Sequence, residues 1–462
     1  MNIIVAFNTK NFGIGTNGKI PWNIPEDLKY FKELTENNIV VMGRKTYDSI
    51  PEKNKPLKNR LNIIVTSNPT KYTSNENVIF VLMEELDTIL DQFKDKKIYI
   101  IGGNTLYQKY LGKAEKIYST QIDKEFICDT YFPLKGFEYY EIESYSKLYY
   151  AESEKCNYKY ITYTKSNKIH DEHYYINNLD NIIWGGNKRP DRTGTGTISK
   201  FGGQVCFDIS KSFPLITTKF VGYKSIIKEL LFFLQGKTNS NILKNQGVSI
   251  WEPNTTREFL DNRGLSDYQV GDLGPMYGFN WRHWNTEYKG CDADYTGKGY
   301  DQLNELIQGL KNDPYSRRHL LTTYNPDAVE KSVLCPCHGI SIQFYVEDKN
   351  DKKYLSCHMY QRSVDNFLGF PYNIASYSAL TYIIAKITDM LPDKLYISMG
   401  DSHIYLNHIE QVKLQISRNI LPFPILELSD SIKTKNINEI TIDDFNLVGY
   451  LHHSAIKATM AV

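Results

Sequence analysis

Five short runs of β-branched and apolar residues mark the first third of the chain: "NIIVAF" at 2–7, "NNIVVM" at 37–42, "NIIVTS" at 62–67, "KKIYIIGG" at 96–103 and "KIYSTQI" at 116–122. Their cores are apolar almost throughout instead of alternating with polar residues, which is the pattern of strands covered on both faces. The helical stretches "EDLKYFKEL" and "TLYQKYL" lie between them. Such an order predicts an α/β domain around a central, mostly parallel and largely buried sheet. The pattern fades near residue 165, and "AESEKCNYKYITYTKSNKIHDEH" (151–173) has room for at most a terminal strand and a connection. Beyond it, Ile176, Leu179 and Ile183 at three- and four-residue spacing predict a helix ended by Gly185 and Gly186. Long helices then mix with long alternating strands. A length of 462 residues exceeds what one hydrophobic core usually supports. The expected division is therefore 1–165 and 166–462, with a junction too short for a flexible tether.

Composition narrows the function classes. A net charge of +1 argues against a general nucleic-acid or polyanion binder, so any anion site must rest on local arginine clusters. Seven cysteines, an odd number without regular spacing, suit a reducing compartment better than a disulfide framework. Met1 runs straight into "NIIVAF" with no leader pattern, and the longest apolar stretch, "ALTYIIAKI", is far short of a membrane span. The expectation is a cytoplasmic protein without a membrane partner.

In the first domain, "WNIPEDLKYFKEL" puts Pro25 in a first helical turn and Asp27 four residues before Phe31. An acid there can simply complement the helix dipole. It can also sit in an apolar pocket, its pKa raised, facing an amidine-like ligand edge. "IVVMGRKTYDSI" is a strand followed by Gly43, Arg44, Lys45 and Thr46 entering a helix, which offers backbone N–H groups and two cations to a phosphate. A second such turn occurs at Gly102 and Gly103. Neither matches the G-x-G-x-x-G fingerprint.

Taken in order and spacing, "GIGTNGKIPWNIPEDLKYFK", "VVMGRKTYDSI", "PLKNRLNIIVTS", "IIGGNTLYQKYL" and "DTYFP" resemble dihydrofolate reductase across nearly the whole domain. The resemblance implies that Asp27 holds the pteridine ring and assists its protonation, that Arg60 pairs with the glutamate carboxylate of folate, and that Phe31 and Ile50 line the folate pocket. It implies NADPH as cofactor, with Arg44 and Lys45 at its 2′-phosphate, Thr46 at the same helix start, and Gly102 and Gly103 admitting the pyrophosphate. Gly15 to Trp22 would be the mobile loop over nicotinamide, and Phe7 is expected near the pterin pocket.

The second domain carries "SVLCPCHGISIQFYV" at 332–346, with Cys335, Cys337 and His338 within four residues. Three readings compete: half of a metal site, a nucleophile, or buried thiols. A metal site would recruit Cys357 and His358 from "SCHMY", but both stretches read as strands and the cysteine spacing is wrong for zinc. The buried-thiol reading suits Cys206, Cys357 and Cys335. Cys337 has His338 beside it and the cationic strand "YQRSVD" as a candidate neighbour, and a positive environment would lower its thiol pKa. Further arginines lie in "DRTGTGT" (Arg192) and "DPYSRRH" (Arg317, Arg318), a set suited to a dianionic phosphate.

From about 172 onward, "DRTGTGT", "ELLFFLQG", "GDLGPMYGFNWRHW", "DPYSRRHLLT", "PCHGISIQFYV", "QRSVDNFLGFPYNIASY" and "GDSHIYLNH" closely resemble the cysteine-dependent thymidylate synthases. That resemblance implies an α+β domain and addition of Cys337 to C6 of dUMP, with 5,10-methylenetetrahydrofolate as cosubstrate. Arg192, Arg362 and Ser363 would hold the phosphate, with Arg317 and Arg318 reaching in from a second subunit of a homodimer. His403 and Tyr405 would bind the deoxyribose hydroxyl. Glu229 and Tyr277 would organise water and proton transfer, Asp365 would anchor the folate ring, Trp251 would pack on it, and "IKATMAV" (456–462) would close the site. Asn373 selects the base, because an amide can donate to O4 of uracil and accept from N3–H, whereas cytosine suits an acid. A cytosine-directed hydroxymethylase and a catalytically silent nucleotide- or RNA-binding relative are the alternatives. The implied halves fit chemically: thymidylate synthesis yields dihydrofolate, which the first domain would reduce.

Overall fold

The computed structural model describes residues 1–93 and 95–460. By contacts the chain separates into two compact units, Met1–His170 with Asn419–Pro422, and Asp171–Arg418 with Phe423–Val462.

The first unit is built on a nine-stranded sheet among the described residues. Its middle runs Lys116–Ile122, Asn2–Asn8, Ile98–Gly102, Ile39–Gly43, Leu61–Val65, Val78–Val81, with every neighbouring pair parallel. These are the five apolar runs plus one. Ile39, Val40, Val41, Met42, Ile63 and Ile64 are fully buried, as expected for strands covered on both faces. An antiparallel edge follows: Cys156–Lys165 pairs with Lys116–Ile122, Tyr149–Ala151 and Tyr140–Tyr145. Sequence patterning missed Val78–Val81 and Tyr140–Tyr145. The first is only four residues long, and the second is exposed enough to carry glutamates and tyrosines.

Pro25 occupies the first turn of the helix Pro25–Thr35, where its missing N–H costs nothing. The strand Ile39–Gly43 runs directly into the helix Arg44–Ser49, and Ile98–Gly102 is followed by Asn104–Tyr110. Both helices thus start at the carboxyl ends of central parallel strands, where open α/β sheets place their ligands.

The second unit holds a six-stranded mixed sheet in the order Asn187–Arg189, Thr197–Asp208, Leu391–Tyr405, Lys352–Asp365, Ser341–Lys349, Leu320–Leu321. Only the pair Lys352–Asp365 and Leu391–Tyr405 is parallel; the others are antiparallel. The helix Gly369–Ile387 packs on these two long strands and buries most of its residues. The strand Ser341–Lys349 alternates strictly, with Ile342, Phe344 and Val346 buried and Gln343, Tyr345 and Glu347 exposed. One face of this sheet therefore belongs to the core and the other faces outward. The helix Glu172–Gly185 ends at Gly186, where the spacing of its apolar residues predicted. No helix among the described residues is long and apolar enough to cross a membrane.

Candidate active sites

The first unit encloses a cleft of about 2000 Å³. The ten candidate site residues Gly15, Asp27, Phe31, Arg44, Lys45, Thr46, Ile50, Arg60, Gly102 and Gly103 line it. Asp27 projects from the first turn of its helix to the strand Lys116–Ile122, where Thr120 Oγ1 donates to its Oδ1 at 2.5 Å. Burial pushes its carboxyl from the ordinary 3.8 up to about 6, against the opposing pull of the Thr120 bond. The carboxylate is thus poised to change charge close to neutrality, which is what proton delivery at that pH requires. The sequence offered no pointer to Thr120, because the partnership depends on strand register 93 residues away.

Arg60 is buried, with Nε donating to Thr35 Oγ1 at 2.8 Å and Nη1 to the Lys58 carbonyl at 2.8 Å. Its guanidinium lies 5.8 Å from the Phe31 ring centroid. These contacts, with Nη2 donating to the Lys32 carbonyl at 3.3 Å, fix the fork in one orientation at the cleft wall. Toward the other end, Gly43 caps the helix Arg44–Ser49 without any side-chain hydrogen bond, so the first-turn N–H groups are available to an anion. Arg44 pairs with Asp48 one turn on, while the Lys45 side chain has no partner among the described residues. Gly102 adopts φ +139°, and a Cβ there would sit 3.2 Å from Thr46 Oγ1. Only glycine allows that backbone so close to the neighbouring helix start. Two cations, a helix start and a side-chain-free backbone fit the phosphates of a dinucleotide such as NADPH.

One expectation is corrected in this unit. Phe7 does not line the cleft; it is fully buried among Phe12 and Phe132, and Ile4, Val5 and Ala6 form the wall instead. Trp22 does line it, and its buried indole N–H has no protein partner.

In the second unit, Cys335, Cys337 and His338 lie in a loop just ahead of the alternating strand Ser341–Lys349. Arg362 shapes this loop. Its backbone N–H donates to the Cys337 carbonyl at 2.9 Å, Nε to the Pro336 carbonyl at 2.9 Å, and Nη2 to the Cys335 carbonyl at 3.0 Å. Three consecutive carbonyls held by one residue leave the Cys337 thiol little freedom. Tyr277 reaches it from across the site, its hydroxyl 3.6 Å from Sγ and 3.3 Å from the Cys337 N–H. Tyr277 has φ +45°, a conformation costly for a bulky side chain and characteristic of functional sites.

The expected low thiol pKa is not found. Burial pushes Cys337 above its ordinary value, and the Tyr277 hydrogen bond and the Arg362 charge only partly offset it. Much of the guanidinium's donor capacity is spent on carbonyls. Cys206 and Cys335 are also only partly buried, so the core-thiol reading holds for Cys357 alone among the three. Among the described residues, no three or more His, Cys, Asp or Glu side chains form a group able to hold a metal.

His338 stacks on Tyr277 at 4.5 Å and 22°, and its Nδ1 lies 2.9 Å from the Tyr377 hydroxyl. Burial drives its pKa down to about 3, so it remains neutral. Tyr377 sits one turn beyond Asn373 on the helix Gly369–Ile387, which puts both on one face. Asn373 is 9% exposed, and its amide has no hydrogen-bond partner among the described residues. Glu229, on the helix Tyr223–Leu234, accepts from Trp251 Nε1 at 2.8 Å, and burial raises its pKa to about 7. Trp251 lies 6.0 Å from the Tyr277 ring.

Strand register assembles the remaining candidates. Ser363 stands opposite Asp401, and Asp365 opposite His403. His403 Nδ1 is 3.0 Å from Asp401 Oδ1, and its ring meets Tyr405 edge-on at 5.2 Å. Asp365 accepts from the Phe367 and Leu368 N–H groups. Tyr405, its pKa raised to about 12 chiefly by burial, feels the charges of Asp365, Asp191, Arg192 and Cys337. Arg192 is exposed in its loop. Arg317 and Arg318 are not part of this cluster: they sit in an exposed loop, and neither side chain has a hydrogen bond or ion pair to a described residue. Of the segment 456–462, Ala461 and Val462 lie outside the described residues.

Comparison with known proteins matches both halves of the chain to enzyme families. A dihydrofolate reductase family model matches residues 1–165 and a thymidylate synthase model residues 173–462. The bifunctional dihydrofolate reductase-thymidylate synthase of Zea mays is 41% identical over 99% of this chain and 96% of its own. That of Paramecium tetraurelia is 41% identical over 99% and 98%, and that of Plasmodium berghei 37% identical over 99% and 95%. The chain belongs to the family of bifunctional dihydrofolate reductase–thymidylate synthases.

Proposed function

We propose that residues 166–462 convert dUMP and 5,10-methylenetetrahydrofolate to dTMP and dihydrofolate, and that residues 1–165 reduce that dihydrofolate with NADPH. The observation that carries this reading is the Cys337 thiol facing the Tyr277 hydroxyl on a loop held by Arg362. Cys337 is the nucleophile that adds to C6 of the uracil ring, making C5 electron-rich toward the one-carbon unit. Its raised pKa favours the resting thiol, so the S–H proton passes to water in the site as the S–C6 bond forms and the C5=C6 electrons move toward O4 as an enolate; phosphate binding near Arg362 places the base for this attack. Glu229, poised near pH 7 and tied to Trp251, moves protons through water at the folate side, and Asn373 reads O4 and N3–H with its free amide. Arg192, Arg362 and Ser363 hold the phosphate, His403 and Tyr405 the deoxyribose, and Asp365 the folate ring.

In the reductase domain Asp27 holds the pteridine and assists protonation, while Phe31, Ile50 and Arg60 bind the remainder of the folate. NADPH supplies the hydride. Arg44, Lys45 and Thr46 hold its 2′-phosphate end, Gly102 and Gly103 admit its pyrophosphate, and Gly15 belongs to the loop that covers nicotinamide.

The functional unit is a homodimer through the synthase domain. The synthase unit exposes the large side chains of Phe201, which is 85% exposed, Tyr345 and Tyr360, apolar surface suited to a second copy. The unpaired Arg317 and Arg318 are free to reach the partner's phosphate site. Seven free cysteines suit a cytoplasmic location.

A time course tests the whole: purified protein receives dUMP and methylenetetrahydrofolate, and NADPH only after dihydrofolate has accumulated. Dihydrofolate formation followed by NADPH consumption is expected. A folded dimer that forms no dihydrofolate would refute the synthase assignment.

A further inference from the structure

The stretch 449–460 contains no helix or strand, yet it is tied down along its length. At its start, the Tyr450 hydroxyl donates to the Ile216 carbonyl at 2.9 Å and accepts from the Val221 N–H at 2.9 Å. In its middle, Arg418 Nη1 donates to the Ser454 carbonyl at 2.7 Å, and the His453 N–H to the Thr217 carbonyl at 2.9 Å. Near its end, a single carbonyl, that of Thr459, meets His408 Nε2 at 2.7 Å, with Asn407 Nδ2 at 3.5 Å. Ile456 and Ala458 pack against the core between these ties.

His408 is spent on this contact. Its residue is fully buried, and a carbonyl can only accept, so Nε2 carries the proton and Nδ1 is a bare acceptor. Nδ1 is buried without a hydrogen-bond partner among the described residues. A buried acceptor left unpaired is costly, so the imidazole's remaining polar contribution is the bond to Thr459. Its ring packs 5.4 Å from Phe367 and 5.7 Å from Tyr405. At the other end of the stretch, Tyr450 is tied to the Val221 N–H, just ahead of the helix Tyr223–Leu234 that carries Glu229. One end of the stretch is therefore held beside the segment that leads to Glu229 and the other beside His408 and Tyr405.

We propose that His408 is a positioning residue for the synthase reaction: its hydrogen bond to the Thr459 carbonyl latches the 449–460 strap over the folate-bearing side of the site. The proposal rests on the synthase reading given above. Because the latch is seated beside Tyr405, closure is registered to the strand that carries the nucleotide-binding groups, and the methylenetetrahydrofolate step depends on it more than dUMP binding does.

The experiment uses the full-length protein with two substitutions. His408→Phe keeps a ring against Phe367 and Tyr405 but removes the donor, and His408→Gln keeps a donor at similar reach. Loss of one buried hydrogen bond corresponds to roughly a three- to tenfold change. Hydrogen exchange of the 449–460 amides is expected to quicken by about that factor in His408→Phe, and KM for methylenetetrahydrofolate to rise by about the same factor. The dUMP dissociation constant is expected to stay within about twofold, and His408→Gln to recover both readouts. Unchanged exchange in His408→Phe, an equal rise in the dUMP dissociation constant, or a Gln variant as impaired as Phe would each overturn the latch. Reductase turnover of the same samples controls for protein quality. A wild-type enzyme without synthase turnover would sink the function itself, whereas the exchange comparison alone would still decide whether His408 holds the strap.

Discussion

Asp27→Asn separates the chemical from the structural role of the carboxyl. In the native protein its pKa stands at about 6 against an ordinary 3.8. A group raised in the folded state contributes stability that is fully present below the unfolded value and lost as pH rises through the folded one. The whole effect corresponds to roughly 3 kcal/mol, and because about half of it is already lost at pH 5, roughly 1–2 kcal/mol disappears between pH 5 and pH 8. Asparagine cannot titrate and can still accept from Thr120, so the variant lacks this pH dependence. Two outcomes follow. Reductase kcat/KM falls by roughly two orders of magnitude at pH 7, because the proton source is gone, while the wild-type profile bends near pH 6. The stability difference between variant and wild type becomes more favourable to the variant by roughly 1–2 kcal/mol at pH 8 relative to pH 5, read from denaturant unfolding. A difference independent of pH, together with a flat wild-type profile from pH 5 to 7.5, would refute the reasoning that burial raises this carboxyl.

Glu229→Gln should lower synthase kcat by about 10²–10⁴-fold and abolish an inflection near pH 7 in the wild-type profile; an inflection that survives assigns it to another group. Asn373→Asp should reduce kcat/KM for dUMP by roughly 10–100-fold while improving that for dCMP, and equal losses on both nucleotides would contradict the base-reading role. Glu172, fully buried, accepts from the N–H and hydroxyl groups of both Thr217 and Thr218. Its replacement by alanine should cost the synthase domain about 3–5 kcal/mol in urea unfolding and leave reductase turnover intact, and a loss below about 1 kcal/mol would count against that network. Mixing inactive Cys337→Ala and Arg318→Glu proteins should restore up to about a quarter of wild-type synthase activity if each site draws on two subunits, and none if it does not.

Much of the candidate chemistry was legible in the linear text because it sits in contiguous motifs. Asp27 in a proline-started helix, Gly43 to Thr46 at a strand-to-helix turn, and Cys337 beside His338 ahead of an alternating strand are local patterns legible in contiguous sequence. The five central strands were legible for the same reason, since a strand buried on both faces must be apolar throughout. The strands Val78–Val81 and Tyr140–Tyr145 were not, because one is short and the other exposed.

Composition and local pattern by themselves determined two domains, an α/β sheet in the first, and the residue types available for each reaction. Only the tertiary structure decided how those residues are tuned. Thr120 against Asp27, Trp251 against Glu229, Tyr277 against Cys337 and His408 against Thr459 all join positions far apart in the chain. Whether Cys337 is raised or lowered depends on a balance between desolvation and the charge of Arg362, and Phe7 faces the core instead of the cleft because of how its strand is packed. Identity is a property of the sequence, but burial and electrostatic environment arise only when distant segments exclude water from one another.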